Sequence, residues 1–337
     1  TIDQSQYDKK MDIVASEQVR IILDKCRNKE IAVIGDLMLD RYFWGNVSRI
    51  SPEAPVPVVD VESETFHLGG AANVAQNLKS LGLNPLLCGV VGNDNSGRML
   101  VDIAEQSQLQ TKGIISIDSR PTTVKTRIIG NNQQLLRLDR ETRSHIVKDV
   151  TNQIVSVLKS CPNLSGIIME DYNKGVINKH LIEEISKFTK EQNIPLFVDP
   201  KLNFFFDYQN ATVFKPNRKE AEEALGYGLK TNEDILRAGD ELLRRLNAEN
   251  ILLTLGDKGM TLFKKDGEYE QIPTKARHIA DVSGAGDTAI ATLAAAMAGG
   301  ASVEYAAKLA NIAAGVVCEE PGIVSIQPNA LINASKY

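Results

Sequence analysis

The run Ile31-Ala32-Val33-Ile34-Gly35-Asp36 is a short, unbroken apolar stretch that closes on Gly-Asp. Continuous rather than alternating apolarity marks a strand buried on both faces. Working outward from it, the same pattern returns in LLCGVVG (86–92), GIIM (166–169), PLFVD (195–199), TVFK (212–215) and ILLT (251–254). Segments 96–107, 145–160, 178–191, 218–225 and 231–247 carry helical spacing between and after those runs. Strands alternating with helices predict an α/β fold: a central, mostly parallel sheet flanked by helices.

Two regions break the alternation. Residues 54–66 are strand-like but hold two prolines, which suits an edge or projecting strand. Residues 122–138 hold two extended runs around Gly130-Asn131-Asn132, a hairpin signal. Together they predict a small β-sheet projecting from the body as a lid, with insertions at about 44–66 and 114–139. Residues 1–29, with Ile13, Val14, Val19, Ile22 and Leu23 at helical spacing, predict a helical extension outside the main domain of 30–330.

The 337 residues are 43% hydrophobic, ordinary for a globular chain, and carry a formal net charge of -5. No long Lys/Arg run is present, which argues against sequence-independent nucleic-acid binding. Cys26, Cys88, Cys161 and Cys318 form no CxxC pair, so neither a zinc site nor a redox dithiol is indicated, and Cys88 and Cys318 read as core. The start of the chain has no signal-peptide core, and its most apolar stretch is too short to span a bilayer. The expectation is a soluble, cytoplasmic protein. The four histidines, His67, His145, His180 and His278, show no metal spacing.

Four motifs carry chemistry. Asp281-Val282-Ser283-Gly284-Ala285-Gly286-Asp287-Thr288 opens a helical run. Small residues at 284–286 leave amides bare at a helix N-terminus, an anion hole, and Asp287 beside it can accept a proton from a substrate hydroxyl. A Gly-rich turn capped by Asp explains the same residues. Gly69-Gly70-Ala71-Ala72-Asn73 precedes a helix; the glycines permit close approach of a ligand and Asn73 offers a donor and an acceptor. An ordinary tight turn does too. Asn217 and Glu220 share a face at a helix start, which suits magnesium held through water or, equally, a capping box. Thr254-Leu255-Gly256-Asp257-Lys258-Gly259 is a strand running into a turn that could line a nucleotide or form a plain hairpin. There is no Walker A loop, and no GxGxxG follows the first strand.

GGAAN at 69–73 and GAGD at 284–287, in that order and separation, resemble the two signatures of the PfkB-type, ribokinase-like carbohydrate kinases. The likeness runs from about Ile31 to Val324. It implies a ribokinase-like fold with a β-lid and ATP and Mg2+ as cofactors, a monovalent cation being an open addition. It further implies a sugar substrate, and a homodimer paired through the lids. Catalysis falls to Asp287 with Gly284, Ala285 and Gly286; Thr254, Gly256, Gly259 and Asn311 join Asn217 and Glu220 at the nucleotide. GDLMLDRYFWGNVSRISPEAPVPVV (35–59), LLRLDRE (135–141), EDYNKGV (170–176) and VDPK (198–201) are similar to a narrower group, the D-glycero-D-manno-heptose-7-phosphate kinases of lipopolysaccharide precursor synthesis. Many of those carry a C-terminal nucleotidyltransferase domain; 337 residues leave no room for one, so the expectation is either a stand-alone kinase or an excised domain.

That likeness implies Asp36, Asp40, Gly69, Gly70, Asn73 and Asp171 at the sugar, and Arg137, Lys174 and Lys201 at its distal phosphate, where planar or point cations suit phosphate oxygens. Trp44 could line the sugar pocket, but reads first as a buried lid anchor. The pattern leads one to expect Ser or Ala at 170, Gly at 202 and Thr at 283, where Glu170, Leu202 and Ser283 stand. Other kinases of this fold, acting on fructose, a fructose phosphate or ribose, are the alternative. A catalytically inactive sugar sensor is a third reading.

Overall fold

A computed structural model describes residues 16–274, 281–320 and 322–336. Ile13, Val14 and His278 therefore lie outside the described residues. The central sheet has nine strands: β1 (Glu30–Gly35), β4 (Asn84–Gly92), β5 (Gln110–Ile117), β8 (Leu164–Glu170), β9 (Leu196–Asp199), β10 (Val213–Phe214), β11 (Asn250–Thr254), β12 (Met260–Lys264) and β13 (Tyr269–Ile272). Their spatial order is β13-β12-β11-β10-β9-β8-β1-β4-β5. All neighbours are parallel except at β12 and β13, which fold back as an antiparallel edge.

The apolar run at 31–34 is continuous because both faces of β1 are covered. Ile31 and Val33 enter one hydrophobic cluster, Ala32 and Ile34 the other, and all four are inaccessible to solvent. The first cluster is closed by α1 (Ser16–Cys26), α2 (Ala71–Ser80), α3 (Asn95–Gln106), α8 (Ala285–Ala298), α9 (Val303–Cys318) and α10 (Pro328–Ala334). The second is closed by α4 (Lys148–Lys159), α5 (Lys179–Gln192), α6 (Arg218–Leu225) and α7 (Asn232–Leu246). Helix α1 buries Val19, Ile22 and Cys26 in the first cluster. It is thus part of the core, not the outlying extension expected from its polar flanks.

The lid is a four-stranded sheet of order β3-β2-β6-β7. Its strands are β2 (Leu37–Ile50), β3 (Pro57–Gly70), β6 (Thr123–Gly130) and β7 (Gln133–Arg140). The hairpin expected at Gly130-Asn131-Asn132 is present, with both asparagines at positive φ, 52° and 64°. Strand β2 leaves the body one residue after β1, so the lid begins nearer the site than 44, and Gln110–Ile117 belongs to the body. Trp44 is 39% exposed on the lid, stacked on Tyr42 and donating to Thr65, which corrects the expectation of a buried anchor. No described helix is long and apolar enough to cross a membrane.

Candidate active site

Chain order reverses between β1 and β8, with β4 and β5 on one side and β9 onward on the other. Ligands of open α/β sheets gather at the carboxyl ends of strands around such a point. Asp36 and Asp171 follow those two strands, Asp199 ends β9, Lys215 follows β10, and Thr254 ends β11.

Asp287 sits in the first turn of α8, 5% exposed. Its N-cap, Gly284, has φ 79°, a left-handed conformation that glycine adopts without strain. The first-turn amides have no partner within the helix and stay available to an anion. Asn73 Nδ2 donates to Asp287 Oδ2 at 2.7 Å, and the Tyr172 hydroxyl donates to Oδ1 at 2.8 Å. Asn77 holds this arrangement from behind: its Nδ2 donates to the Asn73 carbonyl, and its Oδ1 accepts from Thr288 Oγ1 and the Ile326 amide. Burial lifts the Asp287 pKa to about 6, against the pull of its two hydrogen bonds. A carboxylate so tuned is a stronger proton acceptor than a free Asp.

Two clefts meet at this turn. One, of about 620 Å³, is floored by Glu170, Asp199, Lys215, Tyr172 and Asp287. The other, of about 200 Å³, runs between Gly256, Gly259, Met260, Ala289, Asn311 and Gly315. Thr254, Gly256, Val282 and Gly286 line both, so they form one groove with an apolar far end and a charged near end. Asn311 donates from Nδ2 to the Pro273 carbonyl, which pins the apolar wall. Cys318, expected in the core, is half-buried on the same wall. A Cβ on Gly286 would stand 3.6 Å from the Lys215 ammonium, which itself bonds Asp199 at 2.7 Å. Bare amides and a buried lysine thus converge where an anion would lie.

Asn217 and Glu220 form a reciprocal capping box, and the second oxygen of Glu220 bonds Lys201. Burial pulls the Lys201 pKa down, but Asp199 and Glu220 more than offset it. A cation placed directly between Asn217 and Glu220 would have to break all three bonds. The pair therefore suits magnesium only through water. Glu170 fits a cation better: it is 1% exposed, and its Oε2 has no hydrogen-bond partner. Among the described residues no group of three or more His, Cys, Asp or Glu could hold a metal by itself.

The remaining expected residues divide into those facing the groove and those spent inside the chain. Asp36 accepts the amides of Tyr172, Lys174 and Val176, and Asp171 accepts the Asn173 amide and the Tyr208 hydroxyl. Both carboxylates thus shape the 171–176 loop. Asn73 likewise spends its amide on Asp287. Gly69 and Gly70 are required sterically: a Cβ would meet Asp40 Oδ2 at 2.1 Å at the first and the Asp36 carbonyl at 2.4 Å at the second. Asp40 is bonded by Arg127.

Of the three expected phosphate cations, Arg137 is half-exposed on β7 and forks onto Asp139; it pairs in register with Arg127, and Asp139 with Lys125, so it shares a lid face with those two cations. Lys201 lines the charged cleft and bonds Glu220. Lys174 stands 2.6 Å from Glu141. Sequence reasoning missed Tyr172, Lys215, Asp199 and Lys125, although the first three lie within motifs already quoted. Lys125 forms no salt bridge among the described residues and lies 5.2 Å from the Tyr172 ring centre; Lys201 lies 5.4 Å from it. Burial lowers the Lys125 pKa, and Lys174 and Arg127 lower it further. Tyr172 therefore stands between the charged cleft, which it lines, and the lid strand β6, whose Lys125 reaches its ring.

Residues 28–330 match the pfkB family carbohydrate kinase, and the chain belongs to that family. It is 43% identical over 303 residues to the "Bifunctional protein HldE" of Geobacter sulfurreducens, covering 90% of this chain and 62% of that protein's length. In fold it is similar to Escherichia coli phosphofructokinase-2 in complex with potassium, at TM-score 0.74, 18% identity and coverage of 92% and 98% of the two chains. It is also similar to Arabidopsis thaliana ribokinase complexed with ribose and ATP, at TM-score 0.71, 19% identity and coverage of 92% and 99%.

Proposed function

We propose that the chain transfers the γ-phosphoryl group of ATP to the anomeric 1-hydroxyl of D-glycero-D-manno-heptose 7-phosphate, giving the 1,7-bisphosphate that feeds lipopolysaccharide precursor synthesis. The observation that carries this is Asp287, buried, held by Asn73 and Tyr172, and set where the two clefts join. The likeness to a protein of the HldE name supports the choice of sugar. Adenine lies against the apolar walls near Asn311, and the phosphates run toward the amides of Gly286 and Asp287 and toward Lys215. The sugar hydroxyl meets Asp287, loses its proton to the carboxylate, and attacks the phosphorus in line. The developing charge falls on amides and on an ammonium that are already in place. Bound magnesium would neutralise phosphate charge, with Asn217 and Glu220 holding its waters. Lys125 and Lys174 take the distal phosphate. The deciding experiment is ATP consumption over a panel of heptose, heptose 7-phosphate, fructose, fructose 6-phosphate and ribose. Heptose 7-phosphate is expected to be turned over best; efficient use of fructose 6-phosphate would move the chain to the alternative substrate class.

The pH dependence follows from the same carboxylate. The rate is expected to fall below pH about 6, as Asp287 takes a proton and stops being a base. The Tyr172 hydroxyl stabilises the charged form, so Tyr172→Phe raises the pKa further and moves the acid limb of kcat/KM to higher pH. The measured loss should be greater at pH 6 than at pH 8. An unmoved limb would mean that Asp287 is not the titrating group.

Two copies pair through their lids in this reading. Val56 and Leu135 are exposed, while Val58 and Ile128 are half-buried. Leu136 and Leu138 extend the bare apolar surface along the open edge strand β7. Light scattering at micromolar concentration should give a dimer, and Leu136→Lys with Leu138→Lys a monomer. A wild-type monomer would refute the pairing.

A further inference from the structure

Asn73 and Asn77 stand one turn apart on α2, and both are buried. An amide side chain can meet a neighbour with its oxygen or with its nitrogen, and its partners decide which. At Asn77 one partner leaves no choice. The Ile326 amide can only donate, and it reaches Asn77 at 3.0 Å, so the oxygen of Asn77 lies on that side. Thr288 Oγ1 donates to the same oxygen at 3.1 Å. The nitrogen of Asn77 is thereby turned toward Asn73. There it donates to the backbone carbonyl at 3.0 Å and to the side-chain oxygen at 3.4 Å. With its oxygen engaged by Asn77, Asn73 presents its nitrogen to Asp287 Oδ2 at 2.7 Å. Ile326 cannot drift from this chain of bonds, because Ser80 Oγ donates to its carbonyl at 2.7 Å. Helix α2 therefore holds both the N–H and the C=O of that residue. Turned the other way, Asn73 would set its oxygen against a buried carboxylate, which loses a charge-assisted bond and opposes two acceptors.

We infer that Asn77 is a positioning residue for phosphoryl transfer: it passes the polarity of the Ile326 amide through Asn73 and so keeps a donor, not an acceptor, against Asp287. Asn77 is 0% exposed and Ile326 1%, so both act on the base without reaching a reactant. The segment at 322–327 thus belongs to the working parts of the site, although it follows α9 and lies outside both clefts. The kinetic consequence rests on the phosphotransfer reading. The orientation of Asn73 does not, so the two can fail separately.

The test follows the side-chain amides of protein labelled with 15N-asparagine, without sugar or nucleotide. The Asn73 pair is the one missing from Asn73→Ser. In the wild type one of its protons is expected far downfield and slow to exchange, as a donor to a carboxylate. Asn77→Leu removes both ends of the relay, and that proton should exchange about tenfold faster or more, the low end of what a bond to a charged group is worth. Asn77→Ser still offers the Ile326 amide an acceptor but is too short to reach the Asn73 side chain. It should give the same spectrum, which covers the case in which leucine unfolds the chain; thermal melts report folding. In turnover, both variants should lose about 10–100-fold in kcat, the scale of a slightly misplaced reacting group, with KM for ATP unchanged. In an Asn73→Ser background the same changes should cost nothing further, since the relay is already cut. A wild type that turns over no sugar sinks the phosphotransfer reading alone, and the amide spectrum still decides the orientation. An Asn73 pair that is unmoved in a folded Asn77 variant, or losses that multiply in the double variant, would overturn the inference.

Discussion

Asp287→Asn is expected to lower turnover by about 10²–10⁴-fold, the usual contribution of a general base, while raising thermal stability. The two effects share one cause. Burial raises the native pKa of Asp287 from 3.8 to about 6, so the folded state binds this proton more tightly than the unfolded chain does. The stability linked to that proton is present below the unfolded value and is lost as pH rises through about 6. At neutral pH the ionised carboxylate therefore costs the fold up to about 3 kcal/mol, roughly two pKa units at 1.36 kcal/mol each. Asn carries no charge and keeps an acceptor for Asn73 or Tyr172, so most of that cost is relieved. The checks are kcat with saturating substrates, ATP affinity by calorimetry, and a melting curve at pH 7.5. Near-normal turnover would remove Asp287 from the mechanism. Lost turnover together with lost ATP binding would make it a structural residue of the helix start.

Heptose 7-phosphate is expected to be used far better than the unphosphorylated heptose, and the preference should collapse when Lys125 is removed. Lys125 has no carboxylate bonded to it among the described residues, whereas Lys174 stands against Glu141 and Arg127 bonds Asp40. A lysine already paired gains less from phosphate, since it must give up or share its partner. Hydrogen bonds to charged groups are worth about 1.5–3 kcal/mol, or about 10–150-fold. Lys125→Ala should cost kcat/KM about that much on the phosphorylated sugar and little on the unphosphorylated one. Lys174→Ala should act in the same direction but less, and so should Arg137→Ala, because that side chain shares the lid face of Lys125 but is already forked onto Asp139. Equal wild-type activity on both sugars would refute a distal-phosphate pocket. A Lys125→Ala enzyme with undiminished preference would move the phosphate elsewhere in the groove.

Much of the architecture was legible in the residues alone, since it depends on local pattern. Unbroken apolar runs announced β1, β4, β8, β9 and β11, because strands covered on both faces need no polar side. Helix α6 falls on 218–225 as its spacing predicts, since Asn217 and Glu220 cap it within four residues. The anion hole was legible for the same reason: Gly284 to Asp287 are contiguous, and a helix start exposes its amides whatever surrounds it. Partnership was not legible. Asp287 is held by Asn73, 214 residues away, and by Tyr172, 115 residues away, and no spacing rule links them. Nor could a motif tell how much of an acid's bonding capacity goes to its own chain. Asp36 and Asp171 sit at strand ends, as ligand-binding acids do, but the loop after β8 turns its amides onto Asp36 and Tyr208 reaches Asp171. Lys125 carried no signal at all, because it stands mid-strand between β-branched neighbours, and only the folding of the lid over Tyr172 leaves it half-buried and without an ion pair. Local pattern determined which segments fold and where an anion can bind; long-range packing, which decides which donor reaches which acceptor, determined what each charged residue is free to do.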